Sequence, residues 1–179
     1  MLKVEKLALF DLDDTLLEGN SHIEVLNCYY RTKFFSSIIT KIIGKISEKL
    51  QLKILYYFYN KIPEYYIQNF LMPFRKDLLN LLLKMQKDGF SVCIISNAPI
   101  ELLTKHANYI NIPFIHAEHY KKYEALKKYY EYNYLFVCTD NISDIDLLKH
   151  ADNNLICCKK RKRKIFKKTL SKANFYLVD

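Results

Sequence analysis

Six short apolar runs punctuate the chain: KLALFD (6–11), FSVCIIS (90–96), PFIHA (113–117), YLFVCTD (134–140), NLICC (154–158) and NFYLV (174–178). Each is continuous rather than alternating, the pattern expected of strands buried on both faces. Helical spacing of apolar residues fills the intervals. RKDLLNLLLKMQKDG (75–89) ends on a glycine suited to a helix stop, and PIELLTKHANYI (99–110) opens with Pro99, which favours a first turn. KKYEALKKYYE (121–131) and SDIDLLKHA (143–151) read the same way, the latter with Ser143 as a cap. Strands alternating with helices predict an α/β fold with a mostly parallel sheet.

Residues 19–75 break this rhythm. SSIITKIIGKISEKLQLKILYYFY (36–59) places Ile38, Ile39, Ile42, Ile43 and Ile46 on one helical stripe and Lys41, Lys45 and Lys49 on another. Pro63 and Pro73 bound a further short helix. The pattern predicts a helical insertion at 19–75 within an α/β core formed by 1–18 and 76–179. The Ile stripe reads first as a face packed on a neighbouring helix, and second as membrane contact, since Lys, Tyr and Phe surround it.

Composition narrows the class. Half of the 179 residues are hydrophobic, and only three Gly and four Pro occur, which excludes a disordered or low-complexity chain. The formal charge is +9, and KKRKRKIFKK (159–168) alone carries eight cations and no acid. Residues 19–75 hold eight basic residues against three Glu. The adjacent cations at 159–164 read first as a solvated turn. Because they follow a strand, a parallel sheet would bring them to the same rim as the other strand ends, where they would attract an anionic substrate or an anionic membrane. Charge alone would also permit nucleic acid, but no recognition motif accompanies it. The five cysteines have neither metal-ligand spacing nor a disulfide pattern, the first residues do not form a signal peptide, and no uncharged run approaches the roughly 18–20 residues of a spanning helix. The expectation is a cytoplasmic protein, in contact with the inner face of a membrane if the basic segments serve that end.

The chemistry gathers where apolar runs stop. ALFDLDDTLL (8–17) places Asp11, Asp13 and Asp14 directly after the first strand, where desolvation and mutual repulsion oppose ionisation. The second strand ends in Ser96-Asn97, Lys121 and Lys122 open a later helix, and the fourth strand runs into TDNISD with Asp140 and Asp144. In a parallel sheet these ends converge on one rim. Asp11, Asp140 and Asp144 could share Mg²⁺, leaving one carboxylate as nucleophile and another as acid and base, with Ser96 and a lysine on phosphoryl oxygens. His116 and His119, in HAEH, lack a further ligand for a zinc site and read as a surface or substrate-side pair.

With these four motifs in order, the sequence resembles the haloacid dehalogenase-like (HAD) superfamily of hydrolases. DLDDTL resembles its DxDx[TV] motif, IISN its apolar run ending in Ser or Thr, KYEAL its lysine in the KxxxL form of the phosphoserine-phosphatase-like branch, and TDNISD its terminal acidic motif. The resemblance implies a Rossmann-like HAD core at 1–18 and 76–179 with a helical cap at 19–75. By position, it implies Asp11 as the nucleophile of an aspartyl-phosphate and Asp13 as general acid and base. Ser96 would bind the phosphoryl group beside Asn97, a candidate substrate contact. Lys122 would steady Asp11, with its neighbour Lys121 the alternative. Mg²⁺ would be held by Asp11, the main chain of Asp13 and Asp140, with Asp144 supporting. Thr139 stands where the family prefers Gly, and Asp14 where Gly is common. The implied activity is Mg²⁺-dependent hydrolysis of a small phosphorylated metabolite. A lipid-head-group phosphatase, a phosphotransferase or mutase, and a non-catalytic binding protein are the alternatives. Substrate identity and oligomeric state are not encoded in these motifs.

Overall fold

The computed structural model describes residues 1–170 and 172–177, with the backbone alone at 38, 41, 45, 48, 161 and 177. Six strands form one parallel sheet in the order β3-β2-β1-β4-β5-β6: β1 (Leu2–Phe10), β2 (Ser91–Ser96), β3 (Phe114–His116), β4 (Tyr130–Thr139), β5 (Asn153–Cys158) and β6 (Phe175–Leu177). This is the expected α/β class. The sheet buries both faces, and β1 shows why. Leu7, Ala8, Leu9 and Phe10 are all fully buried, but alternate side chains point to opposite layers. Ala8 and Phe10 pack with Leu78, Leu82, Ile94 and Leu103, whereas Leu7 and Leu9 pack with Leu126, Leu147 and Phe166.

The apolar runs located every strand, but not every boundary. β1 and β4 begin four residues before their runs and pair there as a polar ribbon, from Leu2 beside Tyr130, with Lys3 and Glu131 in an exposed ion pair at 3.3 Å. Sequence pattern tracks burial, and backbone pairing continues past the buried part. Val178, the last residue of the sixth run, lies outside the described residues.

The helices of the sheet layers are α5 (Lys76–Lys87), α6 (Ile100–Tyr109), α7 (Lys122–Tyr129), α8 (Ile145–Leu148) and α9 (Arg163–Thr169). Gly89 follows α5 with φ 84°, a left-handed conformation in which a side chain would be strained. The basic run is not a solvated turn throughout. A single turn at Lys160–Lys162 leads into α9, because Phe166 (1% exposed) anchors that helix in the core beneath the lysines.

Between β1 and α5 lie α1 (Ser21–Tyr29), α2 (Ile38–Ile46), α3 (Glu48–Tyr59) and α4 (Glu64–Asn69). The helical stretch at 36–59 is divided into two helices. Ser47 adopts an extended conformation (φ −153°, ψ 103°), and its Oγ accepts from Leu50 N at 3.2 Å, capping α3. α1, α3 and α4 bury a cluster of their own, including Val25, Leu26, Leu55, Tyr59 and Ile67, which closes on Leu102 of α6. The chain leaves and re-enters the sheet layers through adjacent stretches: Leu17 bridges Phe74, and Arg75 N donates to Leu16 O at 2.8 Å. The expected packing of the Ile stripe is met only in part: α2 packs on α3 and Ile43 is half-buried, while the side chain of Ile38 lies outside the described residues. Ile39, Ile42 and Ile46 are 60%, 49% and 81% exposed.

Candidate active site

β1 lies where the chain reverses its direction of travel across the sheet, with β2 on one side and β4 on the other. Such a switch point opens a crevice beyond the carboxyl ends of the strands. Here it is a cleft of about 390 Å³, floored by Asp11, Asp13, Asp140 and Asn141, flanked by Asn97 and His119, and walled by His22 and Tyr56 from the inserted helices.

Asp11 follows β1 directly, and its amide donates to Cys138 O on β4 at 2.8 Å, so the sheet itself fixes the carboxylate. Its Oδ1 accepts from Leu12 N at 2.9 Å and meets Lys122 Nζ at 2.9 Å. No hydrogen bond among the described residues falls on Oδ2. Burial pushes the Asp11 carboxyl up to about 6, with Lys122 pulling it back, so the pair stands as carboxylate and ammonium at neutral pH. Lys122 is 1% exposed and also donates to Asp144 Oδ2 at 2.7 Å. Burial disfavours its charge, but the two carboxylates outweigh burial and hold its pKa above the ordinary value. Lys121 points outward to Glu118 at 2.6 Å, so the geometry separates the neighbours.

Asp144 is saturated. Its Oδ2 accepts from Thr139 Oγ1 at 2.6 Å as well as from Lys122, and its Oδ1 accepts from Ser143 Oγ at 3.3 Å. Its observed task is to hold Lys122. The hydroxyl at 139 supplies one of those bonds, which glycine could not. Asp146, which the motifs did not single out, accepts from Tyr123 N at 3.0 Å. It thereby satisfies an orphan amide in the first turn of α7 and fixes the helix that carries Lys122.

Asp13 Oδ1 accepts from Ser21 N at 2.8 Å, yet burial dominates and pushes its carboxyl up to about 7. Between Asp11 and α1 the backbone turns sharply, and Asp14 sits in the left-handed region (φ 54°) with its N–H on Gly19 O at 2.9 Å. Asp and Asn tolerate that conformation better than most residues, which accounts for Asp where Gly is common. Ser96 is buried and its Oγ accepts from Ala98 N at 3.2 Å, holding the turn after β2, while Asn97 lines the cleft and is hydrogen-bonded through its side chain to His119 Nε2. His119 Nδ1 lies 3.5 Å from Ser143 Oγ.

Asp140 ends β4 on the cleft floor, with Lys162 Nζ 3.5 Å from its Oδ2. The basic run therefore does reach this rim. Burial first, and Asp11 second, push the Asp140 carboxyl up to about 8. A divalent cation would remove this repulsion, and the donors available are all hard oxygens, which suit Mg²⁺. Among the described residues no three His, Cys, Asp or Glu side chains form a metal cage. Asp144, expected to support the metal, accepts three side-chain hydrogen bonds, from Lys122, Thr139 and Ser143.

His22, also missed by motif reading, is 6% exposed on the cleft wall. One ring nitrogen donates to the Leu55 carbonyl, Nε2 is unpartnered, and burial lowers its pKa to about 4, so the ring is neutral. A lone histidine in a helix carries no readable signal, and only the approach of α3 makes it part of a wall.

No protein-family model and no curated protein sequence matches the chain. Solved structures do. A phosphoserine phosphohydrolase-like protein from Francisella tularensis superposes with a TM-score of 0.70 at 17% identity, covering 94% of each chain. A phosphoserine phosphatase captured as a phospho-aspartyl intermediate analogue gives 0.66 at 14% identity, over 96% of this chain and 93% of that one. A HAD family hydrolase from Salmonella enterica gives 0.69 at 14% identity, over 92% and 66%. Across nearly its whole length, the chain has the fold of the haloacid dehalogenase-like hydrolases in the arrangement of the phosphoserine phosphatases.

Proposed function

We propose that the protein is a Mg²⁺-dependent phosphomonoester hydrolase that works through an aspartyl-phosphate on Asp11. The observation that carries this is the pairing of Asp11 Oδ1 with Lys122 at 2.9 Å while Oδ2 remains open to the cleft beside Asp13. Asp11 Oδ2 attacks phosphorus as the bond to the leaving oxygen breaks. Asp13, held near 7 and so protonated in a large share of molecules at neutral pH, gives its proton to that oxygen. Once the alcohol has left, Asp13 takes a proton from the incoming water, which attacks phosphorus and releases inorganic phosphate with Asp11 restored. Lys122 keeps Asp11 ionised and oriented, Asn97 and His119 approach the phosphoryl group from the β2 side, and Ser96 maintains the turn that presents Asn97. Asp11, Asp140 and the main chain of Asp13 would hold Mg²⁺, which supplies positive charge to the phosphoryl oxygens.

The helices over 19–75 act as a cap, set on the core at 1–18 and 76–179, that excludes bulk water when a substrate is bound. The leaving group meets the His22 Nε2 lone pair and Tyr56 on that cap. An unpartnered buried acceptor favours a substrate that brings a hydroxyl or amine donor, a small phosphorylated alcohol.

Phosphate release by wild type and Asp11→Asn, with Mg²⁺ or excess chelator, tests the reading over soluble phosphomonoesters and phospholipid monophosphates in detergent. Metal-dependent release by wild type alone is expected. Wild-type-like turnover by Asp11→Asn overturns the mechanism, and no turnover by either protein favours a binding protein on this fold. Faster product formation with an added alcohol would make the activity a phosphotransferase.

A further inference from the structure

Three isoleucines of the α2 stripe have no covering element among the described residues, although α2 itself packs on α3 and Ile43 is half-buried. Ile39, Ile42 and Ile46 fall on one face at i, i+3 and i+7, all substantially exposed, and Leu50 at the start of α3 is 50% exposed. None of the buried residues of the helical cluster comes from α2 among the described residues. Thr40 on this helix is buried and donates from its Oγ1 to Phe34 O at 2.7 Å, which holds α2 in place with Ile39, Ile42 and Ile46 facing out.

The surroundings are cationic. Residues 19–75 carry eight Lys or Arg against three Glu, and Lys49 and Lys53, one turn apart on α3, border a groove of about 640 Å³ with Leu52, Tyr56 and Tyr57. This groove shares Leu52, Tyr56 and His119 with the carboxylate cleft, so the two are continuous. An apolar stripe in a lysine-bearing segment complements a surface that is apolar beneath and anionic above. It opposes burial against a second copy, since two segments of this positive charge would repel.

We infer that the α2–α3 hairpin docks on an anionic lipid bilayer, inserting Ile39, Ile42 and Ile46 while Lys49 and Lys53 meet the headgroups. Docking in this pose brings the groove, and through it the cleft, toward the membrane surface. It extends the proposed activity but does not depend on it, because the hairpin contains none of the reacting groups.

The test is co-sedimentation with vesicles of phosphatidylcholine mixed with phosphatidylglycerol, against phosphatidylcholine alone. Wild type is expected to partition to the anionic vesicles, more weakly as salt rises. Lys49→Gln with Lys53→Gln should lower partitioning by roughly tenfold or more, at about a fivefold factor per cation near the surface. Ile39→Ser, Ile42→Ser and Ile46→Ser together should lower it by at least about tenfold, with unchanged circular dichroism because these side chains are exposed. Asp11→Asn should bind like wild type, which separates docking from catalysis. Equal partitioning to both vesicle types, or unchanged partitioning of the isoleucine variant, overturns the inference. So does concentration-dependent self-association that the isoleucine variant abolishes, which would assign the stripe to a second copy.

Discussion

Replacing Lys122 with Met keeps the unbranched stem as far as Cε and removes the ammonium, so the main consequence is electrostatic. In the native site the ammonium lies 2.9 Å from Asp11 and 2.7 Å from Asp144, with all three side chains nearly inaccessible. Breaking a buried pair in this way costs about 3–5 kcal/mol, because the remaining carboxylates are buried without compensation. The variant escapes part of that cost by protonating them, which makes the loss depend on pH. In the unfolded chain an aspartate titrates near 3.9. A carboxyl raised in the folded variant contributes stability below that value, and the contribution is lost as pH rises toward the folded pKa. For one carboxyl kept protonated, the cost is about 1.5 kcal/mol at pH 5 and would reach about 5.6 kcal/mol at pH 8, at 1.36 kcal/mol per unit. The cost of leaving the charge uncompensated caps the latter at about 5 kcal/mol. Urea unfolding at the two pH values, with chelator present, therefore should show a destabilisation of about 1–2 kcal/mol at pH 5 that grows to about 4–5 kcal/mol at pH 8. Adding Asp144→Asn to Lys122→Met should recover a substantial part of the loss at pH 8, since one uncompensated charge is removed. A destabilisation below about 1 kcal/mol at pH 8, or one that does not change with pH, would refute the claim that Lys122 is the counter-charge of this site.

The other carboxylates predict a complementary effect in the native protein. Asp13 and Asp140 are held near 7 and 8 against an ordinary value of 3.8, so without metal the stability should fall as pH rises from about 4 to 8. Thermal melts should show that fall, a flatter slope in Asp140→Asn, and a rise in Tm with Mg²⁺ that is larger at pH 8 than at pH 5; a flat metal-free profile would argue against the buried acidic floor. At Asp14, whose φ is 54°, Asp14→Gly should change stability little while Asp14→Val should cost roughly 1–2 kcal/mol by urea titration. Equal stability of the two would show that the left-handed turn is not imposed. His22→Phe should raise KM for a preferred phosphorylated alcohol with little change in kcat, and an unaltered KM would remove Nε2 from substrate recognition.

The strands and the acids at their ends were legible in the sequence because both signals are local. A continuous apolar run has few fates in a chain of this size, and polar residues that interrupt it must stand where the sheet ends. The choice of Lys122 over Lys121 rests on the KxxxL register of the family resemblance, and no local pattern of the chain makes it. What Asp144 does was not legible. It depends on Thr139, Ser143 and a lysine 22 residues earlier arriving at the same two oxygens, which commits the carboxylate to hydrogen bonds. His22 joins the cleft wall only because α3 comes back across α1. The basic run hides a helix because Phe166 finds a buried site that the surrounding lysines do not advertise. The isoleucines of α2 make the same point from the other side. Periodicity established that one face of the helix is apolar, but only the arrangement of the other elements decided that Ile39, Ile42 and Ile46 on it stay exposed. Local pattern follows from the residues themselves, whereas burial and hydrogen-bond satisfaction are properties of what distant segments bring to the same place.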